Sequence, residues 1–559
     1  MGFLKKRLQD SQVEEGILPY LKARTRPPLL FILLPLTLGY SLGCYYPESA
    51  PSKMAIFGVF LLGLWLIAWL KNHHKILFYR VIGSGALVLL AWSYYISKQP
   101  PFIDSARVFT QREVTVSLKA LQTFNLKDQF KQKGGYGTII QAPKHLEWLI
   151  NQGALYHLKP KYPTEDIYKS TIIEITGIIS PLDEQNAFEA YLKTQGIQFK
   201  VKRGYITAVS TGNPFFKFFS TQNKNLTEIL QKSFKNKDST ASIYIAMMLG
   251  RKAELTEAQK KAFTQTGSLH LLAISGLHIA VIGGALAVFF KYLRIPTLLS
   301  AILGLGILFL YVEITGGYPS AMRAFWMIVF YWSARAFTRK KCPFSALLGS
   351  ALLALIISPN LLWNIGFQLS YAVVAALLLW GLPLNEWMQE RLTQWLELRK
   401  IEGYKRYWSQ KIIMYTVGLV NISYACMLVS TPLSILYFYN FAPGALFLSL
   451  ILIPLSSIIM VTGLISMACG LLMLKPLTIL LNSLAHFLIA IMEASINASL
   501  KMKYLFWDME WAADYQGAIL TILLLAWAIL GHFINALRLK RFYVGPLSLI
   551  TIWALLFTK

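Results

Sequence analysis

Apolar residues recur along the chain in runs long enough to cross a lipid bilayer, and polar stretches separate these runs. Three runs come early, at about 28–46, 54–70 and 76–97, and a polar stretch follows at 98–238. A helix needs roughly 20 predominantly apolar residues to cross the hydrocarbon core. Because further runs occupy most of residues 239–558, the pattern predicts a multi-pass α-helical membrane protein.

The second hydrophobic block is predicted to begin with five crossings of alternating direction, at 269–290, 296–315, 320–338, 343–358 and 361–382. The loop at 383–411 mixes basic residues with four glutamates, which favours an amphipathic helix. If every apolar segment between 411 and 537 were a full crossing, the basic residues 538–541 would lie outside. The positive-inside rule places them inside, so the number of crossings is wrong by one. Segment 441–475 is interrupted by two prolines and a glycine, so we expect it to be re-entrant or to lie along the interface.

The polar stretch at 98–238 has the periodicity of strands. Apolar residues alternate with polar ones at Val114, Val116 and Leu118, at Ile173 and Ile175, and at Phe199 and Val201. A period of two is typical of a strand with one buried face. Several short strands, separated by glycine-containing turns, predict a small β-rich barrel of the OB type, and residues 187–194 are predicted to form a short helix.

Composition and charge give the orientation. Hydrophobic residues make up 55% of the chain and charged residues 14%, which excludes ordinary soluble domains. Basic residues are concentrated in the tail at 1–27 and after the second run, and they are rare between the first two runs. The positive-inside rule therefore predicts a cytoplasmic tail, three transmembrane helices at 28–97 and an extracytoplasmic OB-like domain at 98–238.

The polar domain is itself basic, with 20 Lys and Arg against 12 Asp and Glu, a net charge of +8 in a chain whose total is +27. A solvated basic face and a nucleic-acid surface both fit this charge, and the two alternatives stay open here. In the second case, cationic side chains would contact phosphates and aromatic rings would stack on bases. The candidate DNA-binding residues are Phe199, Lys200, Lys202, Arg203 and Tyr205.

Polar residues interrupt the start of the predicted span at 269–290. His270, Ser275, Gly276 and His278 lie in an otherwise apolar segment. Lipid would leave such groups unpaired, so they must face protein or water. For each histidine alone, a hydrogen bond that packs two helices is as consistent with the pattern as a functional role. The cluster as a whole favours the interpretation that these residues line a polar path.

A second polar segment contains Pro319, Ser320 and Arg323 after two glycines. Proline suits the first turn of a new helix, and the free N–H groups of a helix N-terminus attract anions. Arg323 adds a full charge inside the hydrophobic band, where a charge is costly unless something uses it. The alternative is a simple turn followed by an arginine that reaches the interface.

The third polar segment contains Asn364, Gln368, Ser370 and Tyr371. Positions 364, 368 and 371 repeat at helical spacing, so their amides and hydroxyls share one face. They could bond to a passing backbone or hold helices together. In the predicted topology all three segments fall near the outer ends of inward-going spans, which indicates the mouth and upper wall of a passage.

The segments His270-Leu-Leu-Ala-Ile-Ser-Gly-Leu-His278, Pro319-Ser-Ala-Met-Arg-Ala324 and Gly366-Phe-Gln-Leu-Ser-Tyr371 resemble motifs of the ComEC family of bacterial competence channels. The segment from Asn186 to Ile197 is similar to a motif of that family's OB-type domain, although a proline and one glycine of the pattern are missing. The resemblance covers about 28–475. It implies a channel that passes single-stranded DNA across the bacterial cytoplasmic membrane during natural transformation, with residues 239–558 as the channel domain.

Many members of that family also carry a nuclease domain of the metallo-β-lactamase type. The sequence contains no His-x-His-x-Asp-His cluster and no GxxxxGK[ST] motif, so we expect no enzymatic activity, no metal site and no cofactor. The expected partners besides single-stranded DNA and membrane lipids are a DNA receptor outside, a helicase-type ATPase inside and a nuclease in trans.

Two other functions stay open at the level of sequence. Ser275 near His278 is superficially similar to the nucleophile of an intramembrane serine protease, although His278 looks like a packing neighbour of Ser275 and not its base. A transporter of a small anion or a lipid would need a compact pocket at mid-membrane and no basic outer domain.

Overall fold

In the computed structural model the described residues are 29–46, 50–71, 76–99, 113–124, 132–162, 166–183, 187–232, 239–336, 342–398, 404–502 and 504–533. The predicted tail at 1–27 and the basic residues 538–541 lie outside them. In the part of the chain that the structure describes, three helices precede the polar domain, namely α1 (Leu30–Tyr45), α2 (Pro51–Lys71) and α3 (Ile76–Lys98). Helices α1 and α3 pack closely, since a Cβ on Gly39 would lie 2.4 Å from the carbonyl oxygen of Val88.

The polar domain contains a closed five-stranded barrel. Its strands are β1 (Val114–Phe124), β2 (Lys133–Gln141), β3 (Gly153–Pro160), β4 (Ile172–Pro181) and β5 (Ile197–Ser210). They are hydrogen-bonded in the order β1-β2-β3-β5-β4, and β4 returns to β1. The β3–β5 pair is parallel, whereas the other four pairs are antiparallel.

The barrel core follows the period-two pattern of the strands. Leu118, Ile173 and Ile175 are fully buried, and the residues between them face outward or sideways. Outward positions are polar because they meet water, while the apolar positions fill the interior. The connection between β4 and β5 contains helix α4 (Ala187–Thr194), over the residues that the sequence predicts.

Three helices connect the barrel to the second hydrophobic block: α5 (Pro214–Gln231), α6 (Ser239–Leu249) and α7 (Glu257–Gln265). Asn213 caps α5, and its Oδ1 accepts a hydrogen bond of 2.9 Å from the N–H of Phe215. Helix α5 runs from the barrel into the block, where Ile229 packs against Gly470. Helix α6 is buried at nearly every position, so it lies inside the block.

The next six helices are α8 (Gly276–Tyr292), α9 (Thr297–Ile314), α10 (Pro319–Ala336), α11 (Pro343–Ile357), α12 (Ile365–Ala376) and α13 (Leu382–Leu398). A π-helical turn at Leu377–Gly381 joins α12 to α13, so the helix expected in 383–411 is present through Leu398. Helix α8 begins later than the span predicted at 269–290. Leu269–Leu271 forms a 3-10 turn instead, and Ser275 occupies the N-cap position of α8.

The last four described helices are α14 (Tyr404–Phe438), α15 (Ala445–Leu471), α16 (Lys475–Leu500) and α17 (Asp514–Phe533). The prediction of a re-entrant segment at 441–475 is wrong, because α15 is one continuous helix of 27 residues with Pro454 inside it. Neighbouring helices can compensate a missing hydrogen bond at such a proline. If each of the four helices α14 to α17 crossed the membrane, the number of crossings would be even, as the basic residues 538–541 require.

A short two-stranded sheet joins the segment after α14 to the segment before α17. Strand β6 (Asn440–Phe441) follows α14, and strand β7 (Trp507–Asp508) precedes α17. They pair antiparallel, and the N–H of Gly444 donates to the carbonyl of Leu505 at 3.0 Å. The end of α14 and the end of α16 are therefore at the same level of the block.

Within the described residues, six helices are long and apolar enough to cross a membrane, at Val81–Lys98, Thr297–Ile314, Ile365–Trp395, Gln410–Phe438, Ala445–Leu471 and Lys475–Leu500. Shorter apolar helices, including α8 and α11, accompany them. Large apolar side chains such as Leu298, Ile302 and Phe487 are exposed on the outside of the block, as contact with lipid requires. The protein is a multi-pass helical membrane protein.

The barrel contacts one end of the helical block. Lys169 Nζ lies 3.7 Å from a carboxylate oxygen of Glu313 at the end of α9, and Asn223 Nδ2 donates to the carbonyl of Ile314 at 2.8 Å. Lys224 of α5 pairs with Asp166, and this hydrogen bond holds the pKa of Asp166 below its usual range. Helix α4 also packs against the 3-10 turn at Pro359–Trp363, just before α12. We call this end of the block the barrel side.

Candidate functional site

The first polar segment folds into a capped helix start. Ser275 has an extended backbone, and its N–H donates to His278 Nδ1 at 3.3 Å. Ser275 Oγ lies 2.8 Å from the same nitrogen. Because Nδ1 accepts the backbone N–H, the proton of the neutral ring belongs on Nε2 and the hydroxyl is the donor. The ring of His278 is fully buried, and its Nε2 has no hydrogen-bond partner among the described residues.

The second segment begins α10 beside the start of α8. Gly316 (φ +105°) and Gly317 (φ +61°) end α9 in left-handed conformations that favour glycine. Pro319 is the first residue of α10, and Ser320 Oγ donates to the carbonyl of Ile274 at 2.7 Å. This hydrogen bond joins the chain just before α8 to the first turn of α10, and it holds both helix starts at one level.

Arg323 lies one turn into α10 and is only 8% exposed. Its Nη2 donates to the carbonyl of Gly366 at 2.8 Å, whereas its Nε is buried without a hydrogen-bond partner in the described part of the chain. No ion pair to Arg323 occurs among the described residues. The guanidinium therefore carries unused hydrogen-bonding capacity and an uncompensated charge.

The third segment supplies neutral polar groups around this arginine. Asn364 caps α12, because its Oδ1 accepts from the N–H of Phe367 at 3.1 Å. Gln368 donates to the carbonyl of Leu362 at 3.0 Å and accepts from the hydroxyl of Tyr437 at 3.0 Å. These bonds fix the amide groups on the barrel side of the block.

Two further hydroxyl residues of this segment differ in their surroundings. The hydroxyl of Tyr371 is buried beside Ser350 and Arg323. Ser370 is half-buried on α12 and takes no part in the hydrogen bonds of the cluster. Tyr371 therefore extends the polar surroundings of Arg323 toward α11, while Ser370 does not.

The structure brings most of the predicted channel-lining residues together. The Ser320–Ile274 bond links the first and second segments, and the Arg323–Gly366 bond links the second and third. His270 is the most peripheral member, since its side chain is exposed and its Nδ1 lies 3.0 Å from the carbonyl of Gly267. We call Ser275, His278, Ser320, Arg323, Asn364, Gln368 and Tyr371 the polar cluster.

The structure corrects two of the predicted DNA-binding residues in the barrel. Phe199 is only 3% exposed and packs against Trp148 in the barrel core, at 5.8 Å between ring centroids, so its ring is not available for stacking. Lys200 pairs with Glu189 of α4, and both side chains are largely buried. Its charge is therefore already neutralised within the domain.

The other three predicted DNA-binding residues lie at the barrel surface. Lys202 and Arg203 are exposed on β5, and Tyr205 is half-buried. Lys161 Nζ lies 5.0 Å from the centroid of the Tyr205 ring, which is a cation–π contact. These residues form a basic edge of the barrel.

The sequence analysis missed a group of aromatic residues at another edge. Phe124, at the end of β1, lies 5.9 Å from Tyr136 of β2 and 6.0 Å from Phe188 of α4, between ring centroids. Tyr191, one turn after Phe188, packs with Tyr136 against Leu182, Leu192 and Ile197. The signal in the sequence was the i, i+3 spacing of two aromatic residues in the short helix.

Tyrosines of the barrel approach tyrosines of the helical block at this edge. Burial raises the pKa of Tyr136 to about 12, and the nearby hydroxyls of Tyr191 and Tyr318 add to the shift. Tyr318 belongs to the helical block, where its hydroxyl donates to the carbonyl of Gly250 at 3.2 Å. Tyr136 therefore stays protonated near neutral pH and donates to Gln122 at 2.5 Å.

Comparison with curated proteins gives three relatives that align with parts of the chain. "ComE operon protein 3" of Bacillus subtilis is 26% identical over 433 residues, which are 74% of this chain and 51% of that protein. "Recombination protein 2" of Haemophilus influenzae is 26% identical over 267 residues, or 46% of this chain and 32% of that protein. An uncharacterised protein of Aquifex aeolicus is 28% identical over 164 residues, or 28% of this chain and 38% of that protein.

These alignments leave much of each relative uncovered, because the chain spans about half or less of their lengths. No solved structure is significantly similar to the chain. The family model described as "Competence protein" matches residues 247–533, just over half of the chain and the whole of the polar cluster. The protein therefore belongs to the competence protein family.

Proposed function

We propose that this chain forms a channel that passes single-stranded DNA across the bacterial cytoplasmic membrane during natural transformation. The single observation that carries the proposal is Arg323, a buried cation whose Nε has no hydrogen-bond partner and which makes no ion pair in the described part of the chain. A charge inside a membrane protein costs several kcal/mol unless something uses it. A phosphodiester supplies the missing charge and acceptors.

The chemistry of the polar cluster suits a moving polyanion. A guanidinium binds phosphate oxygens through two parallel N–H bonds, and the N-terminus of α10 adds partial positive charge at the same place. Ser320, Gln368 and Tyr371 offer neutral groups that replace water without binding strongly. Conduction needs several such weak contacts, because one tight site would stall the strand.

The proposal places the barrel outside the cell and the N-terminus in the cytoplasm. The positive-inside rule supports this orientation, and the four helices α14 to α17 are consistent with it, because four crossings would return the chain to the cytoplasmic side. The strand order β1-β2-β3-β5-β4 in a closed five-stranded barrel supports the assignment to the OB type. In this arrangement the basic edge around Lys202 and Arg203 attracts DNA through its phosphates.

The proposal includes partners as well as DNA. The printed sequence contains neither a P-loop motif nor a His-x-His-x-Asp-His cluster, so this chain acts as a conduit and not as an enzyme. A DNA receptor outside would deliver the strand, a nuclease in trans would remove its complement, and a helicase-type ATPase or an ion gradient would drive import. Membrane lipids surround the exposed apolar faces of the block.

The test is a transformation assay in cells whose only copy of the gene carries Arg323→Ala. We expect a loss on the order of 30-fold or more, as removal of a charge-assisted phosphate contact would give. Lys501→Ala is the matched control, because it removes the same charge from an exposed position on the barrel side. Normal transformation by a correctly inserted Arg323→Ala protein would contradict the proposed mechanism.

A second candidate function, an intramembrane serine protease, rests on the 2.8 Å approach of Ser275 Oγ to His278 Nδ1. In a catalytic pair, the other ring nitrogen of the base is oriented by a third group. Here Nε2 of His278 has no partner among the described residues, and Nδ1 also caps the helix. Labelling of Ser275 by a fluorophosphonate probe would favour the protease, whereas lost DNA uptake without labelling favours the channel.

A further inference from the structure

Four aromatic side chains gather on the outside of the barrel next to α4. Phe124, Tyr136, Phe188 and Tyr191 are connected by ring contacts and by shared packing, and we call them the aromatic cluster. Phe188 is 49% exposed. The Phe124 ring meets both of its neighbours at more than 60°, which is the edge-to-face arrangement of aromatic pairs.

The aromatic cluster lies at one end of the barrel. Phe124 is the last residue of β1, directly before the connection to β2, and Phe188 and Tyr191 belong to the connection between β4 and β5. In five-stranded barrels of the OB type, these two connections and the face of strands 2 and 3 are where extended polymers bind. Tyr136 lies on β2, so the four rings come from the parts of the barrel that would contact such a ligand.

The aromatic cluster also lies on the side of the barrel where α4 meets the start of α12. Helix α4 packs against the 3-10 turn at Pro359–Trp363, which leads directly into α12. Tyr191 lies in the neighbourhood of Arg323, and Tyr136 lies in the neighbourhood of Tyr318 of the block. A strand lying on the aromatic cluster would therefore reach Arg323 without crossing the barrel.

We propose that Phe124, Tyr136, Phe188 and Tyr191 form a platform on which bases of a single strand stack before its phosphates reach Arg323. This inference rests on the proposed function and names the surface that presents the strand. The basic edge around Lys202 and Arg203 then has a different role. It attracts phosphates at long range, and its only aromatic ring among the predicted residues is the half-buried Tyr205.

Base stacking suits this position for two reasons. Every base has a π-face, so stacking accepts any sequence, as an importer of DNA must. Stacking also requires unpaired bases, so the platform selects single strands over duplex. The elements that carry the rings also carry Lys133 and Lys193, which supply positive charge for the backbone between stacked bases.

The test compares two ligands on the purified full-length protein in nanodiscs, a short oligothymidylate and an abasic strand of the same length. The wild type should prefer the strand with bases, and Phe188→Leu with Tyr191→Leu should remove most of this preference, with binding on the order of tenfold weaker. Phe188→Tyr with Tyr191→Phe keeps the ring faces and should bind like the wild type. Tyr162→Leu is the matched control, because Tyr162 is 59% exposed elsewhere on the barrel.

The outcomes separate the platform from the function on which it rests. If the leucine variant loses the preference for bases while its weak, salt-dependent binding and its thermal unfolding remain, the platform is supported. If the leucine variant binds both strands as the wild type does, the platform is wrong although the channel stands. If the wild-type protein binds neither strand at low salt, the proposed function fails together with the platform.

Discussion

At the scale of single residues, the central feature is the mismatch between Arg323 and its surroundings. The side chain is buried, yet one carbonyl, that of Gly366, is its acceptor in the described structure. An unpaired buried cation lowers the stability of the protein that holds it. Such a residue is retained when a ligand completes its contacts, which is the general pattern of functional sites in membranes.

Replacing Arg323 with methionine should therefore stabilise the protein while it abolishes DNA import. Methionine fills a similar volume without a charge, and we expect a gain of about 1–4 kcal/mol in the free energy of unfolding. Thermal unfolding in detergent measures this gain, with Arg323→Lys as the variant that keeps the charge. A clear loss of stability in the methionine variant would show that Arg323 has a strong partner in the resting protein.

Residue by residue, the sequence predicted the polar cluster better than the barrel surface. Polar groups within apolar spans are costly, so their positions carry a strong signal, and Ser320, Arg323 and Gln368 do meet at one level. Phe199 shows the opposite case, because the alternation that predicted β5 already places it inside the barrel. Phe188 and Tyr191 had only the weaker signal of their i, i+3 spacing, since their contacts with Phe124 and Tyr136, which are distant in sequence, depend on the fold.

At the scale of elements, the ends of helices position the polar cluster. Gly250 ends α6 with φ +73°, and Gly316 and Gly317 end α9, so that Tyr318 reaches the carbonyl of Gly250. Ser275 and Asn364 cap the helices that follow. Each cap satisfies N–H groups that would otherwise be orphaned, and together they hold the starts of α8, α10 and α12 at one level.

Gly250→Ala should destabilise the protein, because an added Cβ would lie 2.8 Å from the Tyr318 ring and because φ is positive. We expect a cost of at least 1–2 kcal/mol, roughly the penalty for a side chain in the left-handed region. Gly306→Ala is the control, since Gly306 lies inside α9 and nothing stands within 4 Å of its Cβ position. Equal thermal unfolding of the two variants would show that the α6 end does not support Tyr318.

At this scale, prediction from the sequence fails where packing between helices decides the local structure. The start of α8 was predicted too early, because apolar Leu269–Leu271 fits a helix by pattern but forms a 3-10 turn next to Gly267. Segment 441–475 was predicted to break at its prolines, yet Pro454 lies inside a continuous helix. Packing against neighbouring helices decided both cases, and a local pattern does not contain that information.

At the scale of the whole molecule, the arrangement joins a basic barrel to the end of the helical block that contains the polar cluster. The contacts Lys169–Glu313 and Asn223–Ile314 hold the barrel on one end of the block. The β6–β7 sheet, which pairs the segments after α14 and before α17, lies at the same end. The alternation of helical block and barrel was readable from the sequence, because the length of apolar runs and the period of strands act over long stretches. The docking of α4 on the 3-10 turn was not readable, since it depends on three-dimensional contact.

The orientation of the chain gives a direct prediction. In a protein without its native cysteines, Tyr504→Cys should react with a membrane-impermeant maleimide added to whole cells, because Tyr504 is 81% exposed on the barrel side. Tyr292→Cys, which is 84% exposed at the end of α8 that lies away from the barrel side, should react only after the cells are opened. The reverse pattern would place the barrel in the cytoplasm and would contradict the direction of transport.

The central claim is that the imported strand passes Arg323, and site-specific photo-crosslinking during uptake tests it most directly. A photoreactive phenylalanine analogue replaces either Tyr371, beside Arg323, or Phe289, which is 54% exposed on the outside of the block. In cells that are taking up labelled DNA, the account predicts crosslinks to the incoming strand from position 371 and none from position 289. Import that proceeds normally while position 371 gives no crosslink would contradict it.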